Sequence, residues 1–66
     1  MRKIMFAENL KELRTAKGLT QAELAALVGV DQRTVSAWEN KVSEPGFEML
    51  ARLCDVFDES IDEMLT

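Results

Sequence analysis

Sixty-six residues, 47% of them hydrophobic and 30% charged, describe a folded globular chain of one domain's length, with a core small enough that support from a second copy is an attractive option. No apolar run approaches the length needed to span a bilayer, the start MRKIMF carries no secretory pattern, and a lone Cys54 with no histidine excludes an internal disulfide or a zinc-type centre. The expectations are therefore no membrane, no metal, no cofactor and a reducing cytoplasm.

The net charge is −4, unusual for a chain that would meet nucleic acid. Its distribution is uneven. Residues 48–66 hold six carboxylates against Arg52, a net −5, which leaves residues 1–47 at +1. An acidic end can face away from a phosphate backbone while Lys11, Arg14, Lys17, Arg33 and Lys41 face it.

In chain order, residues 4–17 form the first predicted helix, with Phe6, Leu10 and Leu13 along one face and Gly18 as its stop. Met1 to Lys3 offer no cap. Ile4 and Met5 are thus either frayed or surplus apolar surface for another subunit, together with Ile61, Met64 and Leu65 at the far end. Leu19 precedes a capping box, Thr20 with Glu23, which opens a helix over 21–28 whose apolar face is read as Leu24, Leu27 and Val28.

Gly29 suits a left-handed stop and Asp31 a new N-cap, so the next helix, 32–40, follows after a turn of a few residues. Its core face is Val35 and Trp38, a spacing that makes the tryptophan a core residue and not a base-stacking one. Gln32, Arg33, Ser36, Ala37 and Asn40 are left on the outer face. KVSEPG is a loop. A fourth helix, 47–57, carries Leu50, Leu53, Cys54 and Phe57, widened by Ala51 and Val56. Ser60 with Glu63 opens a short fifth helix, 61–65. The fold class is all-α, five helices around a central helix-turn-helix.

The segments LRTAKGLTQAELA, LVGV, TVSAWEN and SEP, at their spacing, resemble the phage repressor and Cro type of helix-turn-helix domain of bacterial transcription regulators. That resemblance implies a double-stranded DNA operator as partner, with the second helix of the motif in the major groove and the first against the backbone. It makes Gln32, Arg33, Ser36 and Ala37 base contacts, Gln21, Thr34, Asn40 and Lys41 phosphate contacts, and Arg14 with Glu39 a structural ion pair. The chemistry agrees: glutamine offers adenine a donor and an acceptor, arginine suits the two acceptors of guanine, and Ala37 can meet only a thymine methyl.

Three positions depart from the family pattern. Lys41 stands where glycine is usual, so either Asn40 or Lys41 adopts a left-handed backbone or the loop differs, and Asp58 and Glu59 replace a glycine and an apolar residue. Those last two changes bear on the docking of the final helix. Two functions stay open: a DNA-binding regulator acting as a homodimer, and a protein-interaction module such as the neutralising half of a toxin and antitoxin pair, with a protein partner and little DNA binding. An enzyme is not expected, for no nucleophile has a placed base.

Overall fold

The computed structural model describes residues 3–66; the expectation for the uncapped start thus lies partly outside the described residues, at Met1 and Arg2. Among the described residues the elements are α1 (Phe6–Ala16), α2 (Gln21–Val28), α3 (Gln32–Glu39), α4 (Phe47–Phe57) and α5 (Ile61–Leu65), with no strand. Each helix contributes to one core: Phe6 and Leu10, then Leu24, Ala25 and Val28, then Val35 and Trp38, then Leu50, Leu53 and Cys54, and finally Met64.

Capping chemistry sets most boundaries. At Thr20 both arms of the box are made, the Glu23 N–H donating to Thr20 Oγ1 at 3.0 Å and the Thr20 N–H to Glu23 Oε1 at 2.9 Å. Ser60 Oγ accepts the Glu63 N–H at 3.1 Å and donates to Glu63 Oε1 at 3.0 Å. The α1 start differs from the expectation. The helix begins at Phe6, because Met5 has no side-chain cap and its N–H is drawn instead to the Leu65 carbonyl at 2.6 Å. Asn9 Nδ2 donates to the Met64 carbonyl at 3.0 Å, so α1 satisfies carbonyls that a short terminal helix leaves unpaired.

Several expected core positions are corrected. Leu27 is 59% exposed and Ala25 takes its place, since on an eight-residue helix Leu27 lies roughly 60° from Leu24 on the side away from Ala25 and Val28. Ala51 is exposed, outside the stripe that α4 buries. Met64 is fully buried within its own chain and is no surplus surface, while Ile4 and Ile61 remain exposed. Phe47, at the first position of α4, is 91% exposed.

Two non-glycine residues hold a left-handed backbone, Lys41 at φ 63° and Asp58 at φ 52°, whereas Asn40 stays at φ −97°. Asp58 ends α4, where the Glu59 N–H returns to the Cys54 carbonyl at 3.0 Å. The turn still forms with aspartate in place of glycine, and α5 docks with Met64 as its anchor.

Candidate nucleic-acid interface

The unit formed by α2 and α3 is held at two places. At its centre Gly29, at φ 79°, closes α2, and Asp31 Oδ1 accepts the Arg33 N–H at 2.8 Å to open α3. At its edge the Glu39 carboxylate gathers three partners. Arg14 donates from Nε to Oε2 at 2.7 Å and from Nη2 to Oε1 at 3.0 Å, and Gln21 Nε2 donates to Oε1 at 3.1 Å. Arg14 Nη1 also reaches the Leu19 carbonyl at 2.7 Å. One carboxylate therefore joins α1, the start of α2 and the end of α3.

Burial raises the pKa of Glu39, yet the hydrogen bonds from Arg14 and Gln21 outweigh it and hold the carboxyl below its ordinary value. Arg14 is shifted upward by its own bonds to Glu39. Both groups are therefore charged near neutral pH.

The outer face of α3 has a different character. Gln32 and Arg33 project from the first turn and are exposed, Thr34, Ser36 and Ala37 are half-buried, and Asn40 and Lys41 are exposed at the other end. Val35 and Trp38, turned into the core, fix which side faces out. Arg33 Nε donates to Asp31 Oδ1 at 3.2 Å, and Asn40 Nδ2 to the Ser36 carbonyl at 2.9 Å and Ser36 Oγ at 3.2 Å. The Lys41 ammonium lies 3.0 Å from Glu8 Oε1, an oxygen buried by its surroundings.

Sequence reasoning placed Gln32, Arg33, Ser36 and Ala37 on one surface, and they do share it. It did not find three partners: Asp31 for the Arg33 side chain, Glu8 for Lys41, and Glu39 for Gln21. Only the first had a local signal, a carboxylate cap two residues before an arginine. The consequence is electrostatic. The two cations at the ends of the outer face, Arg33 and Lys41, each meet a carboxylate, so this face carries little net positive charge.

No cluster able to hold a metal ion occurs among the described residues, and no helix is long and apolar enough to cross a membrane. Burial pushes the Cys54 thiol up, as befits a small core hydrophobe.

A helix-turn-helix family profile matches residues 10–64. The chain is 39% identical over 61 residues to the HTH-type transcriptional activator BcrR of Enterococcus faecalis, covering 92% of this chain and 30% of that one. It is 36% identical over 56 residues to the antitoxin PezA of Streptococcus pneumoniae, covering 85% of this chain and 35% of that protein. It thus spans about a third of the length of these relatives. Among solved structures, the P22 c2 repressor in complex with a synthetic operator superposes with a TM-score of 0.88 at 31% identity, covering 94% of both chains.

Proposed function

The chain belongs to the helix-turn-helix family, and we propose that it is a sequence-specific DNA-binding unit of a cytoplasmic transcriptional regulator, not an enzyme, with α3 in the major groove. The observation that carries this reading is the exposed first turn of α3, where Gln32 and Arg33 stand clear of the core on a helix locked from behind by Glu39. The likeness to an operator-bound repressor supports it.

In this reading Gln32 pairs with adenine and Arg33 with guanine, while Ser36 and Ala37 in the next turn offer a hydroxyl and a methyl contact. Gln21, Thr34, Asn40 and Lys41 bind phosphate and set register without carrying sequence information. Gln21 would do so from a side chain already steadied by Glu39, and Lys41 has donors to spare beyond the one that meets Glu8. A homodimer would present two such helices about 34 Å apart, one helical turn of DNA.

A second reading, a protein-interaction module of the antitoxin kind, is favoured by one observation: the two cations of the reading face, Arg33 and Lys41, are already paired with carboxylates. The likeness to PezA is compatible with it. Selection from random duplexes at low salt separates the two. Enrichment of a defined motif, with binding that weakens steeply as salt rises, supports the regulator; no preference for any duplex gives way to the second reading.

A further inference from the structure

We propose that Asp31 is a specificity-determining positioning residue: besides capping α3, its carboxylate holds the Arg33 guanidinium by Nε and presents the terminal amino groups to a guanine. This rests on the reading of α3 as the groove helix and goes beyond it.

Both hydrogen bonds converge on one oxygen. Asp31 Oδ1 is oriented by the Arg33 backbone N–H at 2.8 Å, and Arg33 Nε meets the same oxygen at 3.2 Å. An unsupported arginine with a side chain 93% exposed would sample many rotamers and lose that freedom on docking. Anchoring Nε removes part of that loss. The guanidinium is a planar fork, and a bond at Nε leaves the donors on Nη1 and Nη2 to match O6 and N7 of guanine.

The pair also has an electrostatic effect. Because the Asp31 charge cancels that of Arg33, the arginine adds little attraction to phosphate in general and acts mainly where its geometry is matched. The arginine draws the Asp31 carboxyl below its ordinary range, first through its backbone N–H and then through its side chain. The pair therefore stays ionised across the neutral range.

The test is affinity of the parent, Asp31→Asn, Arg33→Ala and the double variant for a selected duplex and for duplexes changed one base pair at a time. Asparagine is as good an N-cap as aspartate, so thermal unfolding should be unchanged. Asp31→Asn should lose about tenfold of discrimination at the one base pair that Arg33→Ala identifies, while binding scrambled duplexes more tightly than the parent. Adding Asp31→Asn to Arg33→Ala should change discrimination no further. Asparagine removes the charge but keeps an oxygen able to accept from Arg33 Nε, so Asp31→Ser, another good cap with neither the carboxylate nor an oxygen at that reach, is measured beside it and should lose at least as much discrimination. Retained discrimination in a stably folded Asp31→Ser overturns the proposal, as does an equal loss at every base pair or in the Arg33→Ala background. A parent with no duplex preference removes the underlying reading itself, a result seen before any variant is made.

Discussion

Two arginine–carboxylate pairs, one behind α3 and one in front of it, use the same atoms to opposite ends. Arg14 Nε meets Glu39 at 2.7 Å with side chains 11% and 3% exposed, while Arg33 Nε meets Asp31 at 3.2 Å with side chains 93% and 58% exposed. Out of water, a charge without its partner is costly, so the rear pair dictates where α3 sits. In water the same pairing contributes little to stability, so the front pair does not fix the fold and leaves the Arg33 terminal amino groups free for a ligand. Burial, not the residue types, divides the scaffold from the proposed reading surface.

The largest way to break the comparison is Glu39→Ala. It strands the Arg14 guanidinium and the Gln21 amide together, and should cost roughly 3 to 5 kcal/mol in chemical denaturation, whereas replacing Arg14 and Glu39 with apolar residues of similar volume should cost much less. An unchanged denaturation midpoint in both variants would show the rear pair to be no more structural than the front one.

Acid offers a gentler version. The Glu39 carboxyl lies below its ordinary value of 4.5 in the folded chain, so its contribution to stability is present above that value and is lost as pH falls through the folded one. Glu39→Gln should therefore lose less stability than the parent between neutral pH and that acid range. Other lowered carboxyls, Glu8, Glu23, Asp31 and Glu63, act in both proteins and cancel in the difference. Parallel stability curves would remove Glu39 as a contributor.

What could be read from the sequence follows the same division between near and far. Caps at Thr20, Asp31 and Ser60, and the stop at Gly29, are local chemistry, and they located helix ends to within two residues. The left-handed turns at Lys41 and Asp58 were visible because family glycines were missing there. Leu27 and Ala51 were misassigned since apolar spacing says that a side chain can face the core, not whether a neighbour arrives to cover it. Glu8 beside Lys41 and Gln21 beside Glu39 depend on how separate helices cross, which no rule spanning a single helical turn contains.

At the front pair, Arg33→Ala should leave the denaturation midpoint almost untouched and weaken binding to the preferred duplex about tenfold or more, relaxing one base pair. Asn40→Ala should instead weaken binding to all duplexes by a similar factor, as loss of a phosphate contact would. A stability loss in Arg33→Ala comparable to that of Glu39→Ala would erase the distinction between the two pairs. Uniform weakening by Arg33→Ala would move that residue from reading to adhesion.

The Lys41 and Glu8 pair lies between the extremes and sharpens the comparison with the smallest effect. Its ammonium and carboxylate are 3.0 Å apart, with side chains 69% and 38% exposed, and Lys41 carries the left-handed φ of 63°. Asp58 carries a similar φ of 52° at the end of α4. Glycine at Asp58 should relieve that strain and stabilise by up to about 1 kcal/mol. Lys41→Gly relieves comparable strain but leaves the buried Glu8 Oε1 without its cation, so its gain should be smaller or absent. Adding Glu8→Gln, which makes that site neutral, should restore part of the difference. If Lys41→Gly stabilises as much as Asp58→Gly, the contact with Glu8 contributes nothing in the folded chain. Lys41 is then wholly available to a phosphate, and Lys41→Ala should flatten the salt dependence of DNA binding by about one unit of slope.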